Sequence, residues 1–168
     1  DMGREGSGVI ISGLLVTFLS QLALSSYYHH KQQKRIKDVV LYSYWRSSCS
    51  WRVRLALNFK KIPYTYKPIH LVKNQHMADE YTALNEIEEL PTLIIQKKTL
   101  NQSLAIMEYL NEQFSRHGVN ILPRSSAKRA QVRAIALTIA SDIQPVQNLR
   151  VLRHVVKHYG KDEKLKWG

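Results

Sequence analysis

Residues 39–59 read VVLYSYWRSSCSWRVRLALNF, and the prediction of the fold starts from this segment. Its first six residues are mostly β-branched or aromatic and predict a strand, and the polar segment 45–50 predicts the turn after it. Apolar residues then recur with helical spacing up to Phe59, so we expect a helix with Ser50 as its N-cap. Hydroxyls and a thiol therefore collect at a helix N-terminus, where unpaired N–H groups and the helix dipole favour an anion.

The following segments complete a small mixed pattern of strands and helices. Residues 64–70 predict a second strand, and residues 75–84 predict a short helix. Residues 92–100 predict a hairpin that turns at Lys97-Lys98, and Ser103 opens a strongly periodic helix. The order β-α-β-α-β-β-α predicts a small mixed sheet covered by helices.

Composition divides the chain into three parts. Residues 1–38 form an apolar and basic extension, which we expect to be either disordered or an anchor. Residues 39–117 form the α/β domain, and residues 118–168 begin an all-α domain after a linker that contains glycine and proline. Pro145 is expected to bend or end the first helix of that domain.

Charge and cysteine content narrow the functional classes. The 168 residues include 25 Lys and Arg against 13 Asp and Glu, which gives a net charge of +12. This balance suits an anionic partner such as a nucleic acid, a membrane or a small carboxylate, although a solvated basic helix face also accounts for it. The single cysteine, Cys49, excludes an internal disulfide framework and fits a reducing compartment, so we expect a cytoplasmic protein.

The screen for common catalytic motifs is negative. The sequence contains no P-loop, no glycine-rich dinucleotide fingerprint and no HExxH metal motif. The pair His154 and His158 lies on a basic stretch without a nearby carboxylate, so it predicts surface histidines and no metal site. No base-reading motif supports nucleic-acid binding, and we expect none.

An apolar run, VIISGLLVTFLSQLAL, occupies residues 9–24. It is short for a membrane span, which needs about 20 apolar residues, and it has the length of the apolar core of a signal sequence. Membrane association through residues 9–24 is therefore an open alternative. The basic residues that follow would then stay on the cytoplasmic side.

Four motifs in order carry a resemblance to a known family. They are SSCSWRVR at 47–54, LPTL at 90–93, NQSLAI at 101–106 and IQPVQNL at 143–149. Together they resemble the zeta-class glutathione transferases, the family of the maleylacetoacetate isomerases. The resemblance implies an α/β thioredoxin-like N-terminal domain with a mixed four-stranded sheet, followed by an all-α glutathione-transferase C-terminal domain. We expect this second domain to be partial, because the chain ends well before the usual family length.

The resemblance also implies a glutathione site. Pro91 would be the family's cis-proline, which leaves the Leu90 backbone free to pair with the tripeptide in ladder fashion. Gln102 and Ser103 would receive its γ-glutamyl carboxylate at a helix N-terminus, and His76 or the preceding residue would contact its glycine end. The residues that the resemblance assigns to glutathione are Ser47, Ser48, Cys49, Ser50, Trp51, Arg52, His76, Leu90, Gln102, Ser103, Gln144, Asn148, Leu149 and Arg150.

The implied reaction is glutathione-dependent cis–trans isomerisation of maleylacetoacetate to fumarylacetoacetate, in phenylalanine and tyrosine breakdown, with glutathione transferase activity beside it. Its catalytic residues would be Ser47, Ser48 and Cys49, which stabilise the thiolate. Arg52 or Arg150 would attract the dicarboxylate substrate. The implied partner is a second copy of the chain in a homodimer. A non-catalytic glutathione-binding or dimerising protein remains the alternative.

Overall fold

The structure, a computed structural model, describes residues 14–27 and 36–167. The predicted extension and its apolar run therefore lie partly outside the described residues. Residues 14–27 form a helix, α1. Within the two described ranges, no helix is both long enough and apolar enough to cross a membrane.

The remaining elements follow the predicted order. The strands are β1 (Val40–Ser43), β2 (Thr65–Pro68), β3 (Thr92–Ile95) and β4 (Lys98–Leu100). The helices are α2 (Ser48–Phe59), α3 (Asp79–Thr82), α4 (Ser103–Gln113), α5 (Ser126–Leu137), α6 (Gln144–Val146), α7 (Leu149–Tyr159) and α8 (Lys161–Trp167). A π-helical turn, Thr138–Ile143, joins α5 to α6, and two 3₁₀ turns, Leu71–Lys73 and Gln75–Met77, precede α3.

The four strands form one mixed sheet in the order β2-β1-β3-β4. Strand β1 pairs in parallel with β2 and antiparallel with β3, and β4 completes a hairpin with β3. Helices α2 and α4 supply the apolar side chains that cover the two central strands. Their shared core consists of Ile36, Val39, Leu41, Val53, Ala56, Leu57, Ile62, Leu93, Ile95, Ile106, Leu110 and Phe114. The predicted thioredoxin-like mixed sheet with a helical part after it is confirmed.

Helix α2 begins earlier than the sequence predicts. Its N-cap is Ser47, whose Oγ accepts a hydrogen bond from the Ser50 amide at 3.1 Å. The prediction of Ser50 as N-cap is wrong. The Ser50 side chain is fully buried, and its Oγ accepts a long hydrogen bond from the Tyr44 amide at 3.5 Å.

Two further local features are the turn between β3 and β4 and the segment around Pro145. The β3–β4 hairpin turns at Gln96 and Lys97, both with positive φ, which is one residue before the predicted turn. Positive φ at two successive residues matches the twist of paired strands. Pro145 lies in the first turn of the three-residue helix α6, whereas α5 ends at Leu137, so α5 does not end at this proline as the sequence predicts.

Candidate functional site

A cavity of about 980 Å³ lies between the α/β domain and the helices that follow it. Its wall is built from the start of α2, the segments 71–77 and 85–91, the start of α4, and the chain around α6 and α7. Most of the residues predicted for the site meet here. They are Ser47, Ser48, Cys49, Arg52, His76, Leu90, Gln102, Ser103, Gln144, Asn148, Leu149 and Arg150.

Two predicted site residues do not line the cavity. Ser50 is buried beneath the turn that carries the other serines. Trp51 is 58% exposed and is absent from the cavity wall, because each helical residue turns by about 100° from the one before. The predicted contacts of Ser50 and Trp51 with a ligand are therefore not supported by this geometry.

The N-terminus of α2 offers donors to the cavity. Ser47 caps the helix through the Ser50 amide, whereas the Ser48 and Cys49 amides make no hydrogen bond within the described chain. Both residues line the cavity, and the Ser48 side chain is exposed. Two N–H groups at the positive end of the helix dipole, beside a hydroxyl, form a favourable position for a negatively charged atom.

The N-terminus of α4 faces the same cavity. Ser103 begins this helix and is 7% exposed, and Gln102 before it has a φ of 62°. A left-handed backbone is uncommon for a residue with a side chain, and such positions cluster at functional sites. Arg52 joins the two helix ends, since its Nη1 donates to Ser103 Oγ at 3.2 Å and its Nη2 donates to Cys49 Sγ at 3.5 Å.

The segment before β3 lines the cavity with Leu90 and Pro91. The peptide bond between Leu90 and Pro91 is cis, as the family resemblance predicts. Neither the amide nor the carbonyl of Leu90 forms a hydrogen bond within the described chain. An unpaired donor and acceptor on one cavity-lining residue is the arrangement that accepts an extended peptide as an added strand.

Tyr81 and Asn85 hold that segment in place, and the sequence did not reveal this. Tyr81 Oη donates to the Glu89 carbonyl at 2.6 Å, and Asn85 Nδ2 donates to the same oxygen at 2.8 Å. Thr92 Oγ1 lies 2.7 Å from Tyr81 Oη and accepts from Asn85 Nδ2. Burial raises the pKa of Tyr81, so its hydroxyl keeps the proton that it donates.

The comparisons with known proteins agree with this geometry. Residues 37–112 match the family model of the glutathione S-transferase N-terminal domain. A maleylacetoacetate isomerase of Dictyostelium discoideum is 52% identical over 128 residues, which are 74% of this chain and 57% of that protein. Residues 37–112 belong to the family of glutathione S-transferase N-terminal domains.

Solved structures extend the likeness to the zeta class. The holo structure of a bacterial zeta-class maleylpyruvate isomerase has a TM-score of 0.72 and 40% identity, covering 76% of this chain and 60% of that one. A maleylacetoacetate isomerase from Methylobacterium extorquens AM1 with bound malonate and glutathione has a TM-score of 0.71 and 34% identity, with the same coverage. The zeta-class resemblance is confirmed, and the chain spans just over half the length of these relatives.

Positive charge dominates the cavity, and the sequence motifs indicate only part of it. Arg153 and Lys164 lie outside the four motifs, and the tertiary structure brings both to the cavity wall. The basic residues that line the cavity are Arg46, Arg52, Arg150, Arg153 and Lys164, and the acidic ones are Glu88 and Glu89. Arg150 approaches Glu89 at 3.9 Å, an exposed pair that contributes little. The balance favours an anionic ligand.

His76 and Arg153 connect the two sides of the cavity. Arg153 on α7 donates to Asn74 Oδ1 at 3.3 Å and to the Leu71 carbonyl at 3.4 Å, next to His76. Burial and, after it, the charge of Arg153 lower the pKa of His76, and Glu88 opposes them. Its buried Nδ1 makes no hydrogen bond within the described chain. The lowered pKa favours the neutral His76 ring, and its Nδ1 is an unused polar atom at the cavity.

Proposed function

We propose that this chain binds glutathione in the cavity and isomerises maleylacetoacetate to fumarylacetoacetate. One observation carries the proposal: two helix N-termini, joined by Arg52, face one basic cavity beside the unpaired backbone of Leu90. The named relatives act on maleyl compounds, which makes a cis dicarboxylate the best-supported substrate class.

The residues present fit glutathione as a cofactor. The tripeptide is extended and carries two carboxylates and one thiol, and each group has a matching feature here. The Leu90 backbone suits the cysteinyl residue, the start of α4 suits the γ-glutamyl carboxylate, and His76 suits the glycine end. Gln144, Asn148, Leu149 and Arg150 line the opposite wall and can contact both cofactor and substrate.

Catalysis requires a sulfur anion at the start of α2 and a bound dianion next to it. Bound glutathione supplies a thiolate that adds reversibly to the cis double bond and so permits rotation about it. The Ser48 hydroxyl and the amides of Ser48 and Cys49 stabilise negative charge at that position. Arg52, with the other cations of the wall, holds the substrate carboxylates and offsets the charge that develops during the reaction.

The proposal also includes a pathway, a cellular compartment and an oligomeric state. Such an enzyme acts in phenylalanine and tyrosine catabolism, works in the cytoplasm and forms a homodimer. The lone thiol supports a reducing compartment, and exposed apolar residues on α5 and the π-helical turn offer surface for a second copy. The division into a glutathione-binding domain, 39–117, and a helical domain, 118–168, is part of the proposal.

The decisive experiment measures glutathione binding and turnover on the full chain. We expect Ser48→Ala to lower isomerase turnover by about a hundredfold, because it removes one donor to the sulfur anion. Ser125→Ala is the matched control, since Ser125 precedes α5 and makes no side-chain cap bond. Unchanged turnover in Ser48→Ala would remove this serine from the mechanism.

Calorimetry with reduced glutathione separates the remaining alternatives. Binding heat together with isomerase turnover supports the enzyme. Binding heat without turnover assigns the non-catalytic glutathione-binding protein instead. Absence of binding heat from a folded chain contradicts both.

A further inference from the structure

The Asn85 side chain lies between two parts of the cavity wall, and the residue is only 3% exposed. Its Nδ2 donates to the Glu89 carbonyl at 2.8 Å and to Thr92 Oγ1 at 3.0 Å. Its Oδ1 accepts from the Ile87 amide at 3.2 Å and from Asn101 Nδ2 at 3.4 Å. An asparagine amide has two donor hydrogens and two acceptor lone pairs, so these contacts use every hydrogen-bonding position of the side chain.

One half of this network fixes the segment that carries Leu90. Tyr81 Oη lies 2.6 Å from the Glu89 carbonyl oxygen and 2.7 Å from Thr92 Oγ1. A carbonyl oxygen only accepts, so the single Tyr81 proton goes to Glu89 and the Thr92 hydroxyl donates to Tyr81. Thr92 Oγ1 in turn accepts from Asn85, which closes a ring of four groups. The Glu89 carbonyl, one residue before Leu90, is therefore held by two donors.

The other half of the network reaches the start of α4. Asn101 and Gln102 are the two residues between β4 and α4, and Gln102 has a φ of 62°. The contact from Asn101 Nδ2 to Asn85 Oδ1 restrains this short turn, which sets the position of Ser103. One amide group consequently connects the unpaired backbone of Leu90 with a helix start that suits a carboxylate.

We propose that Asn85 and Asn101 are positioning residues that couple two subsites for glutathione, the Leu90 backbone and the start of α4. The inference rests on the proposed function, in which these subsites take the cysteinyl residue and the γ-glutamyl carboxylate. A ligand that spans both subsites binds best when their separation is already fixed, since binding must otherwise order two independent segments. The coupling therefore favours one ligand class, the γ-glutamyl peptides that carry a thiol.

Ligand affinities of the full chain, measured by calorimetry, test the coupling. We expect Asn101→Ala to lower the glutathione affinity about fivefold, because it removes one hydrogen bond between the subsites. Cysteinylglycine lacks the γ-glutamyl group and should bind the wild type and the variant equally. Asn58→Ala is the matched control, since Asn58 is exposed on α2 and lies outside the cavity wall. A general structural defect lowers both affinities alike, so equal losses in Asn101→Ala contradict the proposal.

A second substitution distinguishes coupling from a direct contact between Asn101 and the ligand. Asn85→Asp keeps the acceptor oxygens and removes the donors to Glu89 and Thr92, so it breaks the connection toward Leu90. In this background Asn101→Ala should change the glutathione affinity by less than about twofold, because the two substitutions interrupt the same network. An undiminished loss in this background means that Asn101 contacts the ligand itself and contradicts the coupling.

The Leu90 amide provides a readout that needs no substitution at Asn85. Its NMR resonance in the ligand-free chain should shift in Asn101→Ala and stay in place in Asn58→Ala, because only Asn101 is connected to the Leu90 segment. An unshifted resonance in Asn101→Ala contradicts the coupling. Absence of glutathione binding by the folded wild type contradicts the proposed function and the coupling with it, whereas glutathione binding that Asn101→Ala leaves unchanged contradicts the coupling alone.

Discussion

The α/β domain and the helical part that follows it differ in the burial of their apolar residues. Leu57 and Leu93 in the domain are completely buried, whereas Ile135 on α5 is 65% exposed. Along the helices of the second part, only Val155 is a buried apolar residue among those described. The apolar core therefore lies in the first region, and it gives the cavity one wall that rests on packed side chains.

Polar contacts attach the second region to the first. Arg133 on α5 pairs with Glu108 on α4 at 2.6 Å, and Arg153 on α7 reaches the segment that carries His76. Both contacts lie at the surface, where each is worth at most about 1 kcal/mol. The cavity therefore has one wall built on a packed core and another held by weaker, solvent-accessible bonds.

Core substitutions should produce the largest difference between the regions. We expect Leu57→Ala to lower the free energy of unfolding by about 2–5 kcal/mol, because it leaves a cavity among α2, α4 and the sheet. Ile135→Ala, a comparable truncation on an exposed position, should change it by no more than about 0.5 kcal/mol. Urea unfolding of the full chain measures both. Equal losses would show that the exposed face of α5 is buried in solution and that the two regions do not differ in packing.

The contact between the regions should have a smaller effect. Arg153→Ala removes two hydrogen bonds to the segment 71–74 and one cation from the cavity, so we expect the KM for the dicarboxylate to rise several-fold while kcat stays nearly constant. Lys157→Ala is the control on the same helix, since Lys157 is exposed and does not line the cavity. A similar rise in KM for both variants would attribute the effect to net charge and not to the contact.

The sequence predicts the first region far better than the second, for physical reasons. The strand, the serine-rich turn and α2 are encoded within 21 residues, so local patterns suffice to place Ser48 and Cys49 at a helix N-terminus. The choice of N-cap was missed because Ser47 and Ser50 have the same capping chemistry. Arg153 was missed because its role depends on a contact with Asn74, which no local pattern specifies.

The smallest expected effect concerns the pKa of His76, which both regions influence. Burial is the larger cause of its lowered pKa, and the charge of Arg153 from the second region is the smaller. The folded chain therefore binds a proton at His76 less readily than the unfolded chain, whose histidines titrate near 6.5. The contribution of His76 to stability is complete above that pH and is lost as the pH falls through the folded-state pKa.

An NMR titration of the His76 ring separates the effect of burial on its pKa from the effect of the Arg153 charge. In Arg153→Gln the pKa should rise but stay below the ordinary value, because burial persists when the charge is gone. Glu88→Gln is the opposing control and should lower the pKa further, since Glu88 favours the protonated ring. A return to the ordinary value in Arg153→Gln would mean that the charge of Arg153, and not burial, lowers the pKa of this histidine. No change at all would mean that α7 does not hold Arg153 near His76 in solution, and that the weaker wall of the cavity is open.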